Sequence, residues 1–204
     1  MNDNEIILKN EYDKFYKKFY NIEADHTNAV KCISIIKKYI KNKNSHILEY
    51  GCASGFNLRY FQNEGYYNLV GIDGFKSFIE EAINKNDNIK YQNLNFNESR
   101  YPDYKNKFNK FDVIFTRGVL QQGNTRKEKI KNNDSDVTNI LKYLTSMLND
   151  NGTIILCEGN VRNWEKLIKK SDLKIVKKLQ LYHIYITKKN LSLRYKIKKI
   201  LFSR

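Results

Sequence analysis

Apolar positions along the chain switch repeatedly between the 3.6-residue repeat of helices and short unbroken runs of strand length. Glu11 to Tyr20 carries Tyr12, Phe15, Tyr16, Phe19 and Tyr20 at i, i+3, i+4, i+7 and i+8, which predicts a helix with an aromatic stripe. After Asp25, placed to cap a helix, Ala29, Ile33, Ile36 and Ile40 recur at helical spacing up to the polar break at Lys41 to Ser45. His46 to Tyr50 is a short apolar run ending in a glycine turn, and Phe56 to Asn63 resumes helical spacing through Phe56, Tyr60 and Phe61. The alternation continues with a strand at Asn68 to Ile72, a helix at Phe75 to Asn84, and strands at Ile89 to Gln92 and Phe111 to Thr116. Val137 to Leu148 reads as a helix, Asn149 to Gly152 as a turn, Thr153 to Glu158 as a buried strand and Trp164 to Lys170 as a helix. Leu173 to Leu181 and Tyr182 to Thr187 read as two final strands.

Strands alternating with helices predict an α/β fold with a mostly parallel sheet and helices on both faces. The last two strands have no helix between them, so they are expected as an antiparallel pair at the sheet edge. At 204 residues there is room for one such domain. The expected boundaries are an N-terminal helical cap over 1–45, the α/β domain over 46–189 and a basic tail over 190–204. No apolar run approaches the roughly 20 residues of a bilayer span. Met1 to Glu5 carries two acids and lacks the basic, then apolar, start of a secretory signal, so the expected location is cytoplasmic. Cys32, Cys52 and Cys157 lie far apart without C-x-x-C spacing, so neither a disulfide framework nor a Cys-based zinc site is expected, and no metal site is read.

The formal net charge of +15 would by itself suggest nucleic acid or an anionic membrane surface. Lys, Asn, Ile and Tyr are all over-used, however, which is the skew of an AT-rich coding sequence, and this weakens the inference. In the tail, Leu191, Tyr195, Lys198 and Phe202 fall on one line with Leu193, Ile197, Ile200 and Leu201 nearby, and basic residues lie between them. A basic amphipathic helix of this kind suits a peripheral membrane or RNA contact; its structural alternative is a terminal helix packed on its own domain.

The chemistry concentrates at Glu49, Tyr50, Gly51, Cys52, Ala53, Ser54 and Gly55, where an acid at a strand end is followed by a glycine turn and a helix start. Gly51 allows a tight turn and close approach to a ligand, and the amides at the helix start favour a negative group. A carboxylate at Glu49 can accept from a cationic or hydroxyl-bearing ligand. Asp73 follows at the end of the next strand, where nucleotide-binding α/β folds place an acid on ribose hydroxyls.

With these residues the chain resembles the class I S-adenosylmethionine-dependent methyltransferases, whose first motif has the form acidic-x-Gly-x-x-x-Gly, here Glu49 to Gly55. The resemblance extends through Phe111 to Phe115, like that family's fourth strand, and Leu144 to Leu156, like its helix, turn and fifth strand. It implies S-adenosylmethionine as cofactor, with Gly51 in the loop around the methionine part, Asp73 on the ribose and Asn95 at the adenine. Contacts from Glu49, Cys52, Ala53, Gly55, Gly74, Phe96 and Thr116 are implied beside them. Asn95 replaces the commoner aspartate, and Ala53 stands where many members have a third glycine. A nicotinamide enzyme would prefer G-x-G-x-x-G and an adjoining substrate domain, and neither is present.

Methyl transfer from a sulfonium is an in-line displacement, so alignment of the acceptor supplies much of the rate and the catalytic residue is hard to read. Small-molecule members often carry a His near the position of Gln122. Without it, Arg117, Gln122, Glu158 and His26 are the candidates for acceptor binding or proton transfer. Thr116, Arg117, Gly118 and Val119 stand where base-methylating enzymes have Asn or Asp followed by Pro-Pro-Tyr or Pro-Pro-Phe, which disfavours base N-methylation. The favoured acceptor is a small molecule or a sugar or glycan precursor, methylated on oxygen. An RNA methyltransferase and a cofactor-binding protein without turnover are the alternatives.

Overall fold

In the computed structural model, residues 22–74, 76–85, 89–93, 110–120, 134–159, 162–179 and 184–189 are described. The predicted aromatic helix at Glu11 to Tyr20, the predicted contacts Asn95, Phe96 and Gln122, and the basic tail lie outside them, as does the side chain of His26. Chain order is α1 (Ile22–Lys37), β1 (Ile47–Tyr50), α2 (Phe56–Asn63), β2 (Leu69–Asp73), α3 (Lys76–Lys85), β3 (Lys90–Asn93), β4 (Phe111–Arg117), α4 (Asp134–Met147), β5 (Leu148–Cys157), α5 (Trp164–Lys170), β6 (Leu173–Leu179) and β7 (Ile184–Lys189).

The strands form one seven-stranded sheet in the order β3-β2-β1-β4-β5-β7-β6. All pairings from β3 across to β5 are parallel, and β7 is antiparallel to both of its neighbours. The expected mostly parallel sheet with an antiparallel C-terminal pair is therefore present. It is the last strand, β7, that joins the parallel body, leaving β6 at the edge.

Strand side chains alternate between two cores, as a sheet covered on both faces requires. Leu48, Ile72, Ile114, Ile154 and Leu156 pack with α4 and α5 through Leu141, Leu144, Trp164 and Ile168. Ile47, Leu69, Val113, Phe115 and Ile155 pack on the opposite face with Ile33 and Ile36 of α1, Leu58 and Phe61 of α2, and Ile79 of α3. Phe61 anchors this second core through ring contacts with Tyr66 and Phe115, centroids 5.6 and 5.8 Å away.

Two local departures from the sequence pattern have clear causes. The helical spacing of α1 continues to Ile40, but the helix ends at Lys37 and the chain tightens through three successive i→i−3 bonds, from Lys38, Tyr39 and Ile40. Ile40 stays buried all the same. The turn expected at Asn149 to Gly152 becomes an irregularity inside β5. Phe111 pairs with Leu148 and Val113 with Thr153, so 149–152 bulge opposite Asp112. Asn149 Nδ2 donates to Asp112 Oδ1 at 2.7 Å and holds the bulge against β4.

Trp164 is the largest fully buried side chain, 1% exposed, and its indole Nε1 donates to the Gly159 carbonyl at 2.8 Å. Asn163 caps the same helix by accepting from the Lys166 amide. Trp164→Ala is expected to cost about 3–5 kcal/mol, and Trp164→Phe about 0.5–1.5 kcal/mol for the lost hydrogen bond. Urea midpoints with unchanged slope measure both; no loss in Trp164→Phe would mean that the hydrogen bond contributes nothing.

Candidate active site at the glycine turn

The strand order reverses between β1 and β4, and in open α/β sheets this switch point, at the carboxyl ends of the strands, is where ligands bind. The sequence places its acid-glycine segment there. The register sets Glu49 opposite Gly71 and Phe115, and Tyr50 opposite Ile72 and Thr116. Gly51 leaves the sheet with φ +78°, Ala53 follows at +45° and Gly55 at +79°. Three residues in the left-handed region within five positions give a compact turn, and Ala53 takes that conformation at a steric cost.

Hydrogen bonds to β2 hold the turn. The amides of Gly51 and Cys52 both donate to the Ile72 carbonyl, at 2.7 and 3.1 Å, and the Ala53 amide donates to Asp73 Oδ2 at 2.8 Å. Asp73 is buried, so this bond to its carboxyl oxygen is shielded from water. The two predicted acids thus meet at one turn.

Glu49 is 1% exposed, and its Oε1 accepts from Asn57 Nδ2 of α2 at 2.5 Å. Burial pushes its carboxyl up from about 4.5 to about 8, against the opposing pulls of the Asn57 bond and of Arg117. Its Oε2 has no hydrogen-bond partner among the described residues. Cys52, also predicted at the cofactor, is buried, and burial holds its thiol well above the usual range. Among the described residues no group of three or more His, Cys, Asp or Glu stands ready for a metal ion.

The glycines also admit close neighbours. A Cβ on Gly51 would stand 2.5 Å from Val119, and one on Gly55 would overlap the Tyr91 hydroxyl. Val119 therefore packs the loop after β4 against the turn. Tyr91 of β3 crosses the Gly71 position to fill the space beneath Gly55, and its buried hydroxyl has no partner among the described residues.

Thr116 and Glu158 join at the ends of β4 and β5. Glu158 is buried; its Oε1 accepts from the Thr116 hydroxyl at 2.7 Å and its Oε2 from the Leu120 amide at 3.1 Å. Gly118 turns at φ +68° and donates its amide to the Cys157 carbonyl. Glu158, named from sequence as a candidate for binding or proton transfer, stands where it braces the loop carrying Val119. Arg117 ends β4 half-buried, near enough to Glu49 to favour its charged form. Gly74 follows Asp73 directly and is half-buried.

Asn57, Tyr91 and Val119 were not singled out from sequence. An Asn in the first turn of an amphipathic helix was the available signal for the first. The other two are identified only by the register of β3 and by the path of the loop after β4.

Residues 41–196 match the family model of a methyltransferase domain, and the chain belongs to that family. Its fold is that of the class I S-adenosylmethionine-dependent methyltransferases. No curated protein matches the chain by sequence. Among solved structures it is similar to magnesium protoporphyrin IX methyltransferase from Synechocystis PCC 6803 with bound S-adenosylmethionine, at 13% identity and TM-score 0.62, over 92% of this chain and 96% of that one. It is similar as well to CalS10, an amino pentose methyltransferase from Micromonospora echinaspora, at 8% identity and TM-score 0.60, over 80% and 91%. The sugar N-methyltransferase KedS8 from Streptoalloteichus sp ATCC 53650 matches at 13% identity and TM-score 0.52 over 72% of this chain, which spans about half, 53%, of that protein.

Because the folded pKa of Glu49 lies above its ordinary value, its neutral form stabilises the fold. That contribution is complete below about pH 4.5 and is lost as pH rises through about 8. Urea unfolding from pH 5 to 8 should show the unaltered chain losing stability relative to Glu49→Gln, by on the order of 5 kcal/mol at most. Parallel pH profiles would refute the assignment.

Proposed function

We propose that this chain binds S-adenosylmethionine at the glycine turn and transfers its methyl group to a hydroxyl of a small molecule or a sugar or glycan precursor. The observation that carries the reading is the pair of buried acids, Glu49 and Asp73, at one left-handed turn on the switch point. The residues fit the cofactor's chemistry. Its ammonium and ribose hydroxyls are donors, and Glu49 Oε2 is a buried acceptor with no partner among the described residues.

In this reading Asp73 accepts from the ribose and Glu49 from the ammonium, while Gly51, Cys52, Ala53, Gly55, Gly74 and Thr116 line the cofactor. Asn95 and Phe96 serve the adenine side. The bound cofactor supplies an electrophilic methyl group on a sulfonium. The chain's own part is to align the acceptor and exclude water. Arg117 is a half-buried cation suited to an anionic group on the acceptor, such as the phosphate of a nucleotide-linked or lipid-linked sugar. Gln122 and His26 remain the candidates for orienting or deprotonating the hydroxyl. Glu158 acts through the loop it holds, as a positioning residue. That the similar proteins are named for an amino pentose, a sugar and a porphyrin supports a small acceptor.

Calorimetry with S-adenosylmethionine tests the cofactor, comparing the unaltered chain with Asp73→Ala and Gly51→Val and checking each fold by circular dichroism. One-site binding should fall about tenfold or more in Asp73→Ala, the loss of a hydrogen-bonded charge. Gly51→Val should lose it through its φ of +78° and its clash with Val119. A folded chain without affinity would reject the proposal. Labelled methyl transfer to a panel of nucleotide-linked sugars then tests the acceptor.

A further inference from the structure

A second cleft, of about 410 Å³, opens at the opposite end of the sheet, and Lys41, Lys110 and Lys189 converge on it. That volume lies within the range of small-ligand pockets. The cleft is formed where β4 begins and β7 ends, against the bulge 149–152. From Phe111 to Thr116 the strand runs five residue steps, roughly 17 Å, so the cleft is separate from the glycine turn.

Three lysines face two carboxylates, Asp112 and Asp150, so its lining keeps a net positive charge. Asp112 already has both oxygens engaged, Oδ1 by Asn149 Nδ2 and Oδ2 by the His46 amide at 3.0 Å. Asp150 lies 3.6 Å from Lys189, whose side chain is only 17% exposed. Lys110 donates to the Ser146 carbonyl at the end of α4, which occupies one of its three protons. The Lys189 ammonium is held below its ordinary pKa by burial and by Lys110, with Asp150 opposing. Two ammonium groups thus repel one another across a partly desolvated cleft that Asn151 also lines. An anion between them would relieve the repulsion and gain charge-assisted hydrogen bonds.

We propose that this cleft is a second binding site, for a small phosphate-bearing anion held by Lys110 and Lys189, with Lys41 and Asn151 at its rim. Lysines bind phosphate as point charges without demanding planar geometry, which suits an open cleft of this kind. The site does not depend on the cofactor reading.

The test is titration of the full chain with inorganic pyrophosphate, followed by calorimetry and by the side-chain amide resonances of Asn149 and Asn151. Saturable one-site binding that moves those resonances is expected. Lys110→Gln with Lys189→Gln should weaken it about tenfold or more, whereas Lys174→Gln, on exposed β6, should not. Affinity for S-adenosylmethionine should be unchanged by the pair. No saturable binding at low salt, or an equal loss in Lys174→Gln, would overturn the proposal, the latter by revealing diffuse surface charge. Capture by phosphatidic acid vesicles without a response to pyrophosphate would overturn it as a small-anion site. If the paired variant misfolds, the resonance shifts in the unaltered chain decide.

Discussion

The hydrogen bond from the Ala53 amide to the Asp73 carboxylate ties the tip of the turn after β1 to the end of β2, and the geometry of the site follows from it. Ala53 holds a left-handed conformation that costs a non-glycine residue about 1–2 kcal/mol. A bond to a buried carboxylate, with the paired donations to Ile72, is of the size needed to offset that strain. With the turn fixed, α2 starts at Phe56 and its first turn brings Asn57 onto Glu49.

Two buried carboxylates flank the switch point and serve differently. Glu158 has both oxygens engaged by β4 and its loop, which makes it part of the frame. Glu49 keeps one oxygen without a partner among the described residues, and burial favours its neutral form. A cationic ligand beside it would reverse that preference, so binding and ionisation are coupled at this residue. Val119 and Tyr91 fill the space against the two glycines, and the turn is clamped from β4 on one side and from β3 on the other.

Much of this architecture was legible in the chain because its signals are local. The short apolar runs at His46 to Tyr50 and Phe111 to Thr116, the glycines after Glu49 and the acid after Ile72 each announce an element or a turn without knowledge of the rest. The unread parts depend on distant partners. The bulge at 149–152 exists because β4 advances two residues while β5 advances five, and the place of β7 between β5 and β6 is set by its pairing with both. The partners of Glu158 were not legible because a lone acid at a strand end gives no hint of the Thr116 hydroxyl and the Leu120 amide that meet it. Tyr91 looked like an ordinary strand residue because only the register of β3 on β2 sets it opposite Gly71 and beneath Gly55.

The turn between β1 and α2, held by Asp73, is proposed as the seat of S-adenosylmethionine. Thermal unfolding in the presence of S-adenosylhomocysteine, with NAD as the comparison, tests it without knowledge of the acceptor. Near-saturating S-adenosylhomocysteine should raise Tm by roughly 5–10 °C, while NAD leaves it unchanged and Asp73→Ala cuts the rise by about 3–5 °C or more at the same concentration. A rise with NAD alone, or none with either ligand, would show that the turn is not a site for S-adenosylmethionine.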